Sequence, residues 1–186
     1  MKVFCKMKVR CLTNKINEKV EYEWLEEGVE YTVYGMDISI KRGCLCYYIC
    51  TRVDHVFPMD QLACLFEVVD NRPSRYWILE THNSNFYLML SFPEWSKEVY
   101  FVANLTDWED REVGIFKRYR ELMDFEFPDS SITEYAQVGD EKWLVCPKCI
   151  DAWECDNDRD ALVRCPLCET IYNNPRYKNE WPHLPL

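Results

Sequence analysis

The ten residues from Lys2, KVFCKMKVRC, alternate in polarity. Val3, Cys5, Met7, Val9 and Cys11 fall on one side, Lys2, Lys6, Lys8 and Arg10 on the other, and Phe4 alone breaks the pattern. Side chains of a strand point alternately to its two faces, so this pattern predicts a half-buried strand. The next stretch, NKINEKVEYEWLEEGVEY, fits two periods. Ile16, Val20 and Trp24 share a helical face, while Val20, Tyr22 and Trp24 share a strand face. Alternation resumes in EYTVYGMDISI. After the turn residues KRG comes CLCYYICT, apolar on both faces, which predicts a central buried strand.

Further on, FPMDQLACLF suggests a short turn or helix, and LFEVVD and RYWILE read as strands joined by Asn71-Arg72-Pro73. ILE and FYLML flank THNSN, a hairpin loop. TDWE at 106–109 has the form of a capping box, with Thr106 at the N-cap and Glu109 at N3. Trp108, Ile115, Phe116, Tyr119 and Leu122 follow on one helical stripe, so one helix is expected to pack on the sheet. FPDSSITEYAQVGDEK is polar and reads as a linker, and no internal repeat is evident. The expected fold is α+β and mostly β. It is a small SH3-like barrel or curled antiparallel sheet with one packed helix, followed by a cysteine-rich module. The boundaries read as 1–127 for the β-rich domain, 128–142 for the linker, and 143–186 for the module with its Pro-rich tail.

That module changes the picture most. Cys146-Pro-Lys-Cys149, fifteen residues, then Cys165-Pro-Leu-Cys168 is C-x2-C-x15-C-x2-C, the spacing of a zinc site. Each CxxC is a tight turn that aims two sulfurs at one point, and two such turns supply the four thiolates of tetrahedral zinc. Pro147 and Pro166 stiffen the turns. Cys155 falls outside the spacing and reads as a bystander. Four sulfur ligands leave no open position, so one Zn²⁺ here is structural rather than catalytic. It replaces a core too small to hold by itself. The two CPxC turns and the strand-like residues between them resemble a zinc ribbon over about residues 143 to 173. Ile150 and Glu169 stand where the common pattern has glycine after each second cysteine. Cys44, Cys46 and Cys50 fall on one face of the predicted strand and could, with Cys64 or His55, hold a second metal. No CxxC turn supports that, and packing is the plainer role.

Charge narrows the partners. The formal net charge is −10, so a phosphate backbone is repelled unless the basic residues cluster. The one basic cluster is the outer face of the first strand, which suits an anion or RNA contact, or lysines guarding an edge strand. Between Cys146 and Thr170 the acids Asp151, Glu154, Asp156, Asp158, Asp160 and Glu169 outnumber Lys148, Arg159 and Arg164, which makes this ribbon a poor nucleic-acid module. Glu21, Glu23, Glu26 and Glu27 surround Trp24, an acidic aromatic surface fit for a basic protein. A solvated face with half-buried aromatics is the plainer reading. The histidines His55, His82 and His183 sit in no nucleophile or metal motif, and no glycine-rich phosphate loop is present. A non-enzyme is therefore expected, in a reducing compartment such as the cytoplasm, with no membrane span.

A second resemblance covers roughly residues 3 to 122. LEEGVEYTVYGMDI, YYIC and LFEVVDNRPSRYWIL are similar to small bacterial SH3-like proteins, some of which resemble immunity proteins of polymorphic toxin systems. The motifs are Gly28-x-x-Tyr31-x-Val33-x-Gly35 and Leu65-Phe66-Glu67-Val68. The resemblance implies an SH3-like fold more firmly than an activity. Together with the acidic charge it leads to an expected immunity-type inhibitor that occludes a basic effector, with a nucleic-acid-binding or regulatory zinc-ribbon protein as the alternative.

Overall fold

The computed structural model describes residues 7–17, 20–39, 43–52, 55–82, 87–126, 128–129 and 131–178. The chain forms two compact units, with the change between Met123 and Asp124. It is a mostly-β α+β protein with open antiparallel sheets and few helices. Among the described residues, no helix is long and apolar enough to cross a membrane.

In the first unit the strands are β1 (Lys8–Cys11), β2 (Lys15–Asn17), β3 (Val20–Glu21), β4 (Glu30–Ser39), β5 (Cys44–Ile49), β6 (Met59–Leu62), β7 (Phe66–Asp70), β8 (Ile78–His82) and β9 (Tyr87–Ser91). The sheet runs β6-β5-β4-β1-β7, and the β8–β9 hairpin joins the far half of β4. The outermost strands β6 and β7 are consecutive in the chain, joined only by a 3-10 turn, Ala63–Leu65. Five flat strands would put the two edges roughly 19 Å apart at about 4.8 Å per step. Such a turn advances only about 2 Å per residue. The sheet therefore curls, bringing its edges towards each other without hydrogen-bonding them.

The curl has a local cause in β4. Its burial alternation breaks at Val33, Tyr34 and Gly35, and the register with β5 shifts between Val33 and Gly35. The first half of β4 pairs with β1 and the second half with β9. A Cβ on Gly35 would lie 3.1 Å from both the Met89 Cε and the Ser91 Oγ. The Ser91 hydroxyl fills that space and donates to the Tyr34 carbonyl at 3.1 Å.

The first strand is as its alternation predicts, with Met7, Val9 and Cys11 buried. It is not an edge strand, because it lies between β4 and β7. Arg10 meets Glu30 at 2.9 Å and Glu67 at 2.7 Å, its register partners on the two flanking strands, and Lys8 lies 3.9 Å from Glu30. The basic face is thus answered by cross-strand acids rather than guarding an edge. Lys2 and Lys6 lie outside the described residues. The ambiguous stretch is neither a helix nor a long strand. It is the short hairpin β2–β3 followed by turns, in which Leu25 is buried.

Three helices appear among the described residues where one was expected: α1 (Pro93–Lys97), α2 (Phe101–Thr106) and α3 (Asp110–Glu126). Pro93 opens α1 with its φ already set. The expected capping box is instead a helix end. Thr106 closes α2 and its Oγ1 donates to the Ala103 carbonyl at 2.8 Å. The Glu109 N–H donates to the Asn104 carbonyl and the Trp108 N–H to the Leu105 carbonyl, the paired bonds of a Schellman terminus. This motif needs a left-handed residue, usually glycine, and Trp108 occupies the position with φ 64°. That conformation costs an L-residue about 1–2 kcal/mol. Trp108 is consequently off the stripe, while Phe116 and Met123 of α3 are buried.

Aromatic rings join helices to sheet. Phe92 stacks on Tyr119 at 4.2 Å, Trp95 stacks on Phe101 at 5.9 Å, and Tyr48 meets the Trp95 ring edge-on at 4.9 Å. The buried Ser96 hydroxyl donates to the Ser91 carbonyl at 3.0 Å, with the Ile78 carbonyl at 3.3 Å, and His82 Nε2–H donates to the Ser96 carbonyl at 2.6 Å. His82 thereby ties α1 to β8.

The second unit holds β10 (Gln137–Val138), β11 (Trp143–Val145), β12 (Ala152–Glu154), β13 (Leu162–Arg164) and β14 (Ile171–Asn173). Residues 132–138 are not a free linker. β10 pairs with β11, Ala136 is buried, and the Asn173 side chain donates to the Ile132 and Glu134 carbonyls. Asn174 donates to the Asn157 and Asp160 carbonyls at 2.8 Å. Arg176 donates to the carbonyls of Trp143, Cys155 and Asp140. The tail beyond Lys178 lies outside the described residues. Asn173, Asn174 and Arg176 thus saturate backbone carbonyls that short strands leave open.

Gly35→Ala should lower the stability of the first unit by about 1–3 kcal/mol, since the new Cβ must displace Met89 and Ser91. The check is the urea midpoint, which should fall with an unchanged slope.

Candidate metal centre

The hairpins β11–β12 and β13–β14 are two copies of one design, an internal repeat that sequence reading missed. Leu144 and Val163 precede the two CPxC turns, and Trp153 and Tyr172 occupy equivalent places on the return strands, paired with Leu144 and Val163. Each turn closes identically. The N–H of Cys146 donates to the Asp151 carbonyl and that of Cys165 to the Thr170 carbonyl. The N–H groups of Ile150 and Glu169 return to the carbonyls of Cys146 and Cys165, both at 2.9 Å. Such a turn requires a left-handed residue after the second cysteine. Ile150 and Glu169 adopt it with φ 64° and 57°, so the missing glycines change its cost and not its shape.

The turns bring Cys146, Cys149, Cys165 and Cys168 together, with all four Sγ atoms within 4.8 Å of one another. Cys146 lies 3.6 Å from Cys168, and Cys149 lies 3.6 Å from Cys165. A disulfide needs about 2.05 Å. A tetrahedron with metal–sulfur bonds of about 2.3 Å has edges of about 3.8 Å. The four sulfurs therefore fit one tetrahedral metal ion, a cluster compatible with a zinc ribbon.

The electrostatics call for a cation. Burial opposes ionisation of Cys146, but donors from the Tyr172 hydroxyl and the N–H groups of Cys149 and Lys148 outweigh it and bring the thiol down to about 6. The Asp151 N–H favours the Cys149 thiolate, yet burial and the neighbouring sulfurs of Cys146, Cys165 and Cys168 push that thiol up to about 12. The Thr170 hydroxyl and N–H lower Cys168. Backbone donors thus favour thiolates that repel one another, and a bound cation would remove that conflict.

Two supporting groups were not foreseen. Tyr172, fully buried, has its hydroxyl 3.3 Å from the Cys146 sulfur. Thr170 Oγ1 lies 3.3 Å from the Cys168 sulfur and accepts from Lys148 Nζ at 3.3 Å. To thiolates both hydroxyls donate. The repeat was the available signal, since it sets Tyr172 opposite Trp153 in equivalent hairpins. Cys155 packs beside this core without joining the four.

The other candidates do not converge. Among the described residues, the ribbon cysteines are the one group of three or more Cys, His, Asp or Glu ligand atoms close enough to hold a metal. Cys46 is buried opposite Asp37, and burial, then the Asp37 charge, push its thiol up to about 12. Cys64 is exposed in the 3-10 turn, and Cys50 is half-buried after β5. His55 Nδ1 lies 3.4 Å from the Thr51 hydroxyl, while His183 is outside the described residues. Glu21, Glu23, Trp24, Glu26 and Glu27 are all exposed on the hairpin β2–β3 and its following turn. Glu21 pairs with Lys15 at 3.4 Å. Trp24, 45% exposed, meets Tyr22 edge-on at 5.2 Å. No family model, no curated protein and no solved structure matches the chain.

One metal ion per chain is expected by elemental analysis. Its removal by chelator should collapse amide-exchange protection in residues 143–173 before the first unit. Tyr172→Phe keeps the ring but leaves the Cys146 sulfur without its donor. Metal affinity should fall about ten-fold, and the sulfur-to-metal charge-transfer bands of the Co²⁺-loaded protein should shift.

Proposed function

We propose that the chain is a non-enzymatic protein-binding protein that engages a basic partner through the acidic hairpin around Trp24. A toxin inhibitor of the immunity type is the specific form of that reading. The carrying observation is an imbalance of charge. Lys8, Arg10 and Lys15 are each answered by a nearby carboxylate. Among the described residues no ion pair joins Glu23, Glu26 or Glu27 to a basic side chain, and all three are exposed. Three exposed carboxylates beside a half-exposed indole suit a Lys- or Arg-rich surface, steered by charge and anchored by the ring. Nucleic acid is the weaker reading, because the described basic residues of the first strand already serve Glu30 and Glu67.

The strand order, with a two-stranded hairpin between β1 and β4 and a 3-10 turn between β6 and β7, supports an SH3-like reading of the first unit. The four-sulfur centre supports one structural Zn²⁺, since a closed thiolate site has no position open for chemistry.

Tagged full chain should capture a basic protein at unit stoichiometry from native lysate after nuclease treatment. E23Q/E26Q/E27Q should weaken that complex at least ten-fold at low salt, with most of the loss in the association rate. Recovery that disappears with nuclease, or affinity indifferent to the triple variant, would sink the reading.

A further inference from the structure

Trp108 is an anomaly of both placement and exposure. It holds the left-handed position that closes α2, where glycine serves best, and its side chain is 60% exposed. Among the described residues its one ring contact is edge-on to Phe57 at 5.9 Å. Neither backbone preference nor burial accounts for a large ring at this point.

Its surroundings point to an occupant. Tyr100, 74% exposed, stands at the other end of α2, and Val99 beside it is also exposed. The helix between them has six residues, about 9 Å of length, which is the reach of three or four residues of an extended peptide. Asp107, Glu109 and Asp110 flank Trp108, all exposed, and no ion pair joins them to a base among the described residues. The nearby Arg111 is already committed, to Glu98 at 2.7 Å and to Glu112 at 2.8 Å. An indole among carboxylates attracts a cation to its face and its sidewalls at once.

We propose that Trp108 and Tyr100, with Asp107, Glu109 and Asp110, form a docking surface for an extended Lys- or Arg-rich segment of a protein partner. This surface is separate from the Trp24 hairpin and does not rest on it.

The test uses metal-loaded full chain and a fluorescein-labelled oligo-arginine peptide, read by anisotropy at low salt. Both surfaces are acidic, so binding is measured in the E23Q/E26Q/E27Q background. There Trp108→Gly should weaken peptide binding at least five-fold, and Tyr100→Ala should weaken it in the same direction. Trp108→Gly should also raise the thermal midpoint by about 2–4 °C, because glycine accepts the left-handed position. Unchanged peptide affinity in Trp108→Gly overturns the proposal. A lowered midpoint overturns it too, since the ring would then be held for its packing on Phe57. If the triple variant alone abolishes peptide binding, the Trp108 surface is refuted while the Trp24 hairpin stands.

Discussion

A ten-residue strand cannot serve three partners while it stays straight. β4 pairs with β1 and β5 along its first half and with β5 and β9 along its second, and it bends where Gly35 leaves room for Ser91. The rest of the first unit follows from that bend. It turns the sheet far enough for a three-residue 3-10 turn to join the two outermost strands. The helices pack together beside the sheet through stacked and edge-on rings. The high aromatic content is used here, in flat groups that fill a curved space between strands and helices.

The second unit answers a different constraint. Its hairpins are too short to bury a core, and Leu144, Val163, Tyr172 and the cysteines make up most of what is buried. Backbone donors converge on four sulfurs that cannot all ionise together without a cation. Binding of a metal ion there would make metal binding and folding one event in this unit. Arg176, Asn173 and Asn174 cross-link the loops by donating to carbonyls.

Charge links structure to the proposed activity. Bases of the first strand and hairpin are held by acids at short range. Glu23, Glu26 and Glu27 near Trp24, and Asp107, Glu109 and Asp110 near Trp108, have no such ion pair among the described residues. Exposed carboxylates and exposed indoles thus stand side by side at both places. Steering by charge and anchoring by a ring operate at different distances, and both are available at the same surface.

Local patterns were legible without coordinates. The alternation of Met7, Val9 and Cys11 and the paired CPxC turns are settled within a few residues, by strand pleat and by turn geometry. What needed tertiary structure was whatever depends on a neighbour distant in sequence. Thr106 and Glu109 have the composition of a helix start. They became a helix end because Phe101 and Leu105 are buried and draw residues 101–106 into their own helix. Lys8 and Arg10 read as an exposed basic face until Glu30 and Glu67 were placed opposite them. Tyr172 reads as an ordinary strand residue until the second hairpin brings its hydroxyl to the Cys146 sulfur. Period and spacing are properties of one segment and can be read from it. Pairing, curl and the hydroxyls around the sulfurs are properties of two or more segments, and only the folded chain decides them.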